Sequence, residues 1–332
     1  MDAATYDFPT TVSRSTDLSA STGDTRTGHH VFASLTPDQV ERGREVFATE
    51  WCLAVRGVDE VQTSPDVVVK HFDAMDLLRR PMARATCAAV LTGLVDERRD
   101  EIADLVLAWI DALAPVIASS RAPRRWSRTR RREHRSRTTL EDALGSVRGD
   151  CAIVDSPNVV ATMLAAGIQV PVAAGAWLLV HLAALPDDDA NRDDAVWETL
   201  RVSPPTWLTA RMTTRPVEVD GHPLPAGALV MVSPLLLGRL SDLAPDAPQD
   251  LSTFCPDRWR RDDVRPGAWL PFGAGAHACP GRSLGLGFLR DLATWAGQHA
   301  IALTSPVTID QSRGLVPTPA HITATLREEV DR

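Results

Sequence analysis

The stretch from Ser156 to Pro186 constrains the fold more than any other part of this sequence, because it contains no Asp, Glu, Lys or Arg. Val159–Leu185 is mostly apolar, so a helix formed here is apolar on every face. Such a helix either crosses a bilayer or lies at the centre of a large soluble domain. Polar residues within it, and three aspartates after it in place of flanking positive charge, favour the buried central helix and no membrane contact.

The composition fits a soluble, folded protein of the cytoplasm. The chain has 332 residues, of which 44% are hydrophobic and 23% charged, and its net charge of −8 disfavours binding to nucleic acid. Five scattered cysteines are an odd number and do not form a disulfide framework, which fits reducing conditions. The N-terminus has neither the basic start nor the apolar segment of a secretory signal, and the Ser/Thr-rich residues 1–34 are expected to be partly mobile.

Sequence periodicity predicts a mainly α-helical chain with a small β-sheet region. Thr36 and Pro37 mark a helix start, as an N-cap and a first helical residue. Further helices are predicted at Val67–Leu78, Met82–Leu94, Asp96–Leu113, Asp194–Val202 and Arg282–His299. The β-structure is predicted as a small hairpin within Val217–Val232 and one strand at Ile322–Leu326.

A run of arginines follows the third of these predicted helices. Its members are Arg121, Arg124, Arg125, Arg128, Arg130, Arg131, Arg132, Arg135 and Arg137. The simpler interpretation is a solvated loop between helices, and the alternative is a docking patch for an acidic partner. Nucleic acid is disfavoured here as well, because Trp126 is the only Phe, Trp or Tyr in the run.

The glycine-rich segment Phe272–Gly281 carries the clearest chemical signal. Three glycines in ten residues allow the backbone to turn tightly and to approach a ligand closely. Cys279 lies just before a predicted helix, where backbone N–H groups and the helix dipole stabilise a thiolate. A thiolate in such a loop suits a soft or borderline metal, including haem iron.

Three other motifs overlap this segment. Gly281–Gly285 matches the G-x-S-x-G pattern of serine hydrolases, with Asp291 and His299 downstream, but a glycine loop stands where that motif needs a strand. The pattern G-x-G-x-x-A also occurs, without the βαβ unit of a dinucleotide site. A zinc site at His277 and Cys279 lacks a second ligand pair at usable spacing.

The segment resembles the haem-binding loop of the cytochromes P450, F-x-x-G-x-x-x-C-x-G. Glu198–Arg201 is similar to the family's E-x-x-R pair, and Pro256–Trp259 to the following segment that supplies a second arginine. Three motifs in the right order are more specific than any one of them. The resemblance extends from about Leu35 onward and implies a single domain, residues 1–332, with the P450 helical fold but without the family's usual N-terminal strands.

The resemblance assigns roles to individual residues. It implies haem b as cofactor, with Cys279 as the thiolate ligand of the iron. The other residues that it places around the haem are Phe272, Gly275, His277, Gly281 and Arg211, of which His277 and Arg211 correspond to propionate contacts. It also implies a buried structural ion network of Glu198, Arg201 and Arg258.

Two features depart from the family pattern. On the distal helix the family usually has A-G-x-[D/E]-T, whereas this chain has Gln169 and Val170 at the two positions that relay protons, followed by Pro171. At the N-terminus, Asp24 and Gly28 stand where propionate-binding residues are often found. The missing strands imply a naturally shortened form, a mis-started product or a protein partner that completes the N-terminal region.

The resemblance implies a monooxygenase that acts on a small organic or peptide substrate. Electrons would come from NAD(P)H through a separate ferredoxin or flavodoxin-type partner. Gln169 and Val170 leave open a haem-thiolate enzyme that uses peroxide or performs oxidative coupling. A non-catalytic, P450-like partner subunit is the third interpretation.

Overall fold

A computed structural model gives the architecture of the chain. It describes residues 6–7, 33–58, 60–64, 67–119, 121, 123–124, 126–150, 155–185, 192–243, 250–260, 270–273, 278–310 and 315–326. The expectation of mobility for residues 1–34 falls largely outside these ranges, as do Asp24, Gly28, Gly275 and His277.

Eight helices within these ranges form the bulk of the structure. They are α1 (Pro37–Arg56), α2 (Ala74–Val90), α3 (Asp96–Ile117), α4 (Arg128–Ser146), α5 (Pro157–Ala183), α6 (Arg192–Val202), the short α7 (Pro234–Leu237) and α8 (Arg282–Gly297). Single 3-10 turns occur at Ser241–Leu243 and Pro256–Arg260. The mainly α fold expected from the sequence is therefore confirmed.

The strands form small antiparallel sheets at the edges of the helical body. They are β1 (Tyr6–Asp7), β2 (Glu60–Ser64), β3 (Val67–Asp73), β4 (Thr209–Thr213), β5 (Val217–Val219), β6 (His222–Leu224), β7 (Leu229–Val232), β8 (His299–Leu303), β9 (Ile309–Asp310), β10 (Val316–Pro317) and β11 (His321–Leu326). One sheet has the order β2-β3-β11-β8 and another β1-β4-β7, and β5–β6 and β9–β10 form separate pairs. The predicted hairpin is β5–β6, whose turn at Asp220 and Gly221 has positive φ at both residues, whereas β7 pairs with β4.

The long apolar helix α5 lies at the centre, packed against α2, α3, α4, α6 and α8. Every residue from 172 to 180 is buried. By length and composition α5 is the one helix in the described ranges that meets the criteria for a membrane span, yet 61% of its most apolar window is buried by the rest of the protein. This burial supports the prediction of a central core helix.

The helix α1 begins as predicted and packs closely on α8. The Thr36 hydroxyl accepts a hydrogen bond from the Gln39 N–H at 3.3 Å, and the Gln39 side chain accepts one from the Thr36 N–H at 2.9 Å, which completes a capping box. A Cβ at Gly43 would lie 2.7 Å from the end of the Leu284 side chain of α8 and 3.0 Å from Ala89 Cβ of α2, so glycine allows α1 to approach both helices closely. The contact joins α1 to α8, which begins three residues after Cys279.

The predicted helix Val67–Leu78 is wrong in its first half. Residues Val67–Asp73 form β3, which pairs with β2 on one side and β11 on the other. Three consecutive β-branched valines favour a strand, and the pairing with β11 comes from the far end of the chain. Asp73 then caps α2, which runs through Pro81 rather than stopping before it.

The arginine run is not an interhelical loop over most of its length. The Ser127 hydroxyl accepts a hydrogen bond from the Arg130 N–H at 3.1 Å and starts α4. Arginine has a high helix propensity, and the buried residues Glu133, Arg137, Leu140 and Leu144 form one face of this helix. Their helical spacing is the sequence signal that the arginines obscured.

Candidate functional site

The loop with Cys279 is tied to its neighbours by backbone hydrogen bonds. The Cys279 N–H donates to the Phe272 carbonyl at 2.8 Å, and the Leu35 N–H donates to the Pro280 carbonyl at 3.1 Å. The guanidinium carbon of Arg282 lies 5.6 Å from the centroid of the Phe272 ring, in a cation–π arrangement. Phe272 and Cys279 are therefore neighbours, and Cys279 lies directly before the first turn of α8.

The Cys279 thiol has two opposing influences on its pKa. The Cys279 side chain is exposed, but partial desolvation by the surrounding backbone is the larger influence and raises the pKa, and a hydrogen bond from the Gly281 backbone lowers it. The net effect raises the pKa of the thiol in the chain without a bound metal, and the hydrogen bond from the Gly281 backbone acts in the opposite direction. The Gly281 N–H remains a donor directed at sulfur, and such donors tune thiolate ligands.

Glycines leave space around this cysteine. A Cβ at Gly281 would meet nothing within 4 Å, and its φ of −94° is open to any residue, so the packing of the chain does not require glycine there. Glycine here leaves room for a bulky ligand to approach the backbone closely. Among the described glycines of this loop, Gly273 has φ +69°, a conformation that favours glycine. Gly275 and His277 lie outside the described residues.

The structure brings Glu198, Arg201 and Arg258 together in a buried network. Arg201 donates to both carboxylate oxygens of Glu198, from Nη2 at 2.6 Å and from Nε at 2.8 Å, and Arg258 Nε donates at 3.2 Å. The Cys255 N–H and the Trp259 indole each donate to the same carboxylate at 2.9 Å. Burial alone raises the pKa of Glu198, but these donors and charges outweigh it, and the pKa is lowered.

Arg201 also binds the backbone that precedes the Cys279 loop. Its Nη1 donates to the Gly238 carbonyl at 2.5 Å and to the Leu251 carbonyl at 2.6 Å, and its Nη2 donates to Thr253 at 3.0 Å. Irregular backbone needs partners for its carbonyls when it is buried. The network therefore holds the long segment between α6 and α8 in place.

The distal positions named from the sequence lie in the middle of α5. Pro171 has no N–H, so it leaves the carbonyl four residues before it, that of Gly167, without its helical partner. The Thr86 hydroxyl of α2 donates to this carbonyl at 3.2 Å. A Cβ at Gly167 would lie 3.1 Å from the Thr86 methyl, so glycine also makes the close approach possible. Nothing in the local sequence around Thr86 marks it as the partner of this carbonyl.

One stripe of α5 is exposed although most of the helix is buried. It consists of Thr162, Ala166 and Val170, spaced four residues apart, and Val170 is 37% exposed. Gln169 beside it is partly buried. These side chains are small and lie at helical spacing, and the Thr162 hydroxyl is bonded to the Asn158 carbonyl, so the stripe presents a flat surface that suits an apolar or planar ligand.

Arg211 lies in β4 and is about half-buried. Its Nη1 donates to the Ala210 carbonyl at 2.9 Å, and burial lowers its pKa. Its assigned partner, a haem propionate, stays a prediction. Taken together, a cysteine with a donor to its sulfur, a glycine with free space beside it and a small-residue stripe on the central helix fit the haem implied by the sequence.

The serine-hydrolase motif has no supporting geometry. The Asp291 carboxylate accepts two hydrogen bonds from the Arg44 guanidinium, at 2.6 and 3.0 Å. His299 is hydrogen-bonded to the Trp295 carbonyl at 2.9 Å. Neither side chain is therefore directed at Ser283. Within the described ranges, no group of three or more His, Cys, Asp or Glu residues is arranged to hold a metal ion.

Residues 193–287 match the sequence model of the family named Cytochrome P450. A 5-monooxygenase of cyclooctat-9-en-7-ol from Streptomyces melanosporofaciens is 39% identical over 94 residues, which are 27% of this chain and 20% of that protein. Cyclooctatin synthase of the same organism is 31% identical over 173 residues, 44% of this chain and 36% of that protein. Pentalenene oxygenase of Streptomyces avermitilis is 30% identical over 185 residues, 46% of this chain and 40% of that protein. The aligned parts thus span less than half of these relatives.

Solved structures share most of this architecture. Cytochrome P450 TbtJ1 superposes with a TM-score of 0.66 at 18% identity, over 87% of this chain and 78% of that one. Cytochrome P450SP alpha gives a TM-score of 0.61 at 20% identity, over 87% and 76%. At this identity the likeness establishes the fold.

Proposed function

We propose that this chain, a relative of the cytochromes P450 in fold and in sequence, is a haem-thiolate monooxygenase that acts on a small apolar molecule. The single observation that carries the proposal is Cys279, held by the Phe272 carbonyl and Gly281 N–H at the start of α8. The relatives are named as oxygenases of cyclooctat-9-en-7-ol and pentalenene, which favours an apolar terpene-like substrate of secondary metabolism over a peptide.

The residues of the chain have distinct parts in this proposal. When bound, the haem supplies dioxygen activation, to which an electron-rich thiolate ligand contributes. Cys279 holds the iron, Gly281 leaves room for the haem, and Arg211 and His277 bind its propionates. The exposed stripe of α5, formed by Thr162, Ala166 and Val170, binds the apolar substrate and excludes water from it. Electrons come from a separate ferredoxin or flavodoxin-type protein, and the proposed location is the cytoplasm.

A second candidate is a haem-thiolate enzyme that uses peroxide or couples two substrates oxidatively. Gln169 does not ionise and Val170 has no hydroxyl, so neither of these two side chains can deliver a proton to dioxygen. Peroxide brings its oxygen atoms already reduced and requires less proton delivery than dioxygen. The same Cys279 loop serves both candidates.

The Cys279 assignment is tested by spectroscopy of the purified protein. The reduced, carbon-monoxide-bound wild type should have the long-wavelength Soret band of thiolate ligation. Cys279→Ala should lose that band and all turnover, because no other group replaces the thiolate. Cys52→Ala is the control, since Cys52 is an exposed cysteine on α1. A thiolate band retained in Cys279→Ala would exclude this residue as the ligand.

The monooxygenase and the peroxide-using enzyme are distinguished by the oxidant that supports turnover. Turnover with dioxygen, NADPH, ferredoxin and ferredoxin reductase is compared with turnover on hydrogen peroxide, using an apolar terpene as substrate. The pair Gln169→Glu and Val170→Thr supplies an acid and an alcohol on α5. A gain of about tenfold or more in dioxygen-driven turnover, with no gain on peroxide, favours the peroxide-using candidate for the wild type. Efficient dioxygen turnover by the wild type favours the monooxygenase.

A further inference from the structure

Four arginines form one exposed face of α4. Arg128, Arg131, Arg132 and Arg135 have the spacing i, i+3, i+4 and i+7, which places them on one side of a helix. All four are exposed, whereas the opposite side of the helix buries Leu140 and Leu144 in the core. Seven residues of helix are about 10 Å long, so the charges are concentrated in a small area. We call this surface the arginine face.

The arginine face is unfavourable for the isolated protein. Like charges three and four residues apart repel one another, and the first turn of α4 has no acidic residue, so cations stand at the positive end of the helix dipole. Arg130 and Arg137 pair with Glu133 on the packed side of the helix. Among the residues that the structure describes, no ion pair joins the four arginines of the face to a carboxylate. Their charge is balanced neither within the helix nor by a described neighbour.

A large aromatic side chain lies at the edge of this face. Trp126 immediately precedes the N-cap Ser127 and is 76% exposed. Arginine and tryptophan are the residue types most enriched at the energetic centres of protein–protein interfaces. Elsewhere on α4 the exposed side chains include no large apolar residue.

We propose that the arginine face of α4, with Trp126 at its edge, docks a protein with a compact cluster of carboxylates. Arginine pairs with carboxylates through two parallel hydrogen bonds, and the partner's charges would relieve the repulsion within α4. This surface consists of α4, which packs on α3 and α5, and it includes no part of the Cys279 loop. The proposal therefore does not depend on the haem.

The geometry of α4 disfavours an anionic membrane or a nucleic acid as the partner of the arginine face. A helix lying in a membrane surface inserts an apolar face, but the apolar residues of α4 are turned towards the core. A nucleic acid presents a long track of phosphates, whereas the arginine face ends within two turns and the exposed Asp142 follows it. A carboxylate cluster on a protein matches a patch of this size.

The test measures binding of fluorescein-labelled poly-L-glutamate to the full-length protein by fluorescence anisotropy. The double variant Arg131→Gln, Arg135→Gln should raise the dissociation constant about fivefold or more, because two ion pairs are lost. The control Arg56→Gln, Arg80→Gln removes two exposed arginines on α1 and α2 and should change it less than about twofold. Trp126→Ala should weaken binding without changing its salt dependence, because the indole carries no charge.

A stability measurement separates docking from a role in the fold. If the four arginines repel one another, the double variant should raise the melting temperature of the free protein by about 1–2 °C. A lowered melting temperature would mean that they stabilise α4, and the proposal would be wrong. Equal losses of affinity in the double variant and its control would also overturn it. So would tighter, face-dependent binding to duplex DNA or phosphatidylserine vesicles, or face-dependent self-association in sedimentation.

Discussion

Replacing Glu198 by glutamine tests whether the buried network carries the stability of the segment before Cys279. The carboxylate accepts five hydrogen bonds, three of them from two arginines whose side chains are almost fully buried. Glutamine keeps the shape of the side chain, but it removes the charge and directs an NH₂ group at donors. Two guanidinium groups would then be left without an opposing charge in the interior.

The expected loss follows from that imbalance. Removing one partner of a buried ion pair destabilises a protein by about 3–5 kcal/mol, because the remaining charge stays desolvated. The total free energy of unfolding of a domain is commonly about 5–15 kcal/mol, so Glu198→Gln should remove about a fifth of it or more. The matched control is Glu45→Gln, which breaks the exposed pair between Arg42 and Glu45 at 3.6 Å and should change the free energy by less than about 1 kcal/mol.

The measurement is urea-induced unfolding of the purified protein, followed by circular dichroism and tryptophan emission. A second pair of variants checks the cause: in an Arg258→Met background, Glu198→Gln should be less damaging, because one of the uncompensated charges is gone. A loss below about 1 kcal/mol for Glu198→Gln, equal to that of Glu45→Gln, would refute the reasoning and place the network among interactions of little net value.

Two further predictions concern α5. Thr86→Val should destabilise the protein by about 1–2 kcal/mol in urea unfolding and Thr86→Ser much less, because serine keeps the donor for the Gly167 carbonyl; equal losses would assign the effect to methyl packing. His181 stacks on Phe254 at 4.3 Å and bonds Ser203. Burial lowers its pKa from 6.5 to about 4; the charge of Glu198 opposes this shift, and the charge of Arg239 adds to it. The unfolded chain therefore gains a proton first, so stability falls between pH 6.5 and 4 by up to about 3 kcal/mol, and His181→Phe should remove that part of the pH dependence; identical pH profiles would contradict it.

The elements whose periodicity is undisturbed were predictable from the sequence. Thr36 and Pro37 identify the start of α1, and the absence of charge identifies α5 as the central helix, because both signals are local. Local signals failed at Val67–Asp73, where pairing with β11 decides in favour of a strand. They failed again in α4, where repeated arginines conceal a buried face of Glu133, Leu140 and Leu144.

The residues of the candidate site likewise include some that the sequence predicts and others that it does not. Cys279, Glu198 and Arg201 follow from motif order, and the structure places Glu198 and Arg201 in one network with Arg258. The partners that make this chemistry stable do not follow. Thr86 lies 81 residues before the carbonyl to which it donates, and Arg201 binds carbonyls up to 52 residues away. No spacing rule links such pairs, since loop and helix packing decide them.

These long-range partners share one task, which is to satisfy backbone that regular structure leaves unpaired. Pro171 removes a helical hydrogen bond from α5, and Thr86 replaces it from another helix. The segment between α7 and α8 has little regular structure in its described part, and Arg201 binds three of its carbonyls. A buried carbonyl without a donor costs about as much free energy as a lost hydrogen bond. Thr86 and Arg201 therefore stabilise the irregular backbone around the candidate site. Their substitution should therefore loosen the Cys279 loop and the distal helix before it disturbs the regular helices.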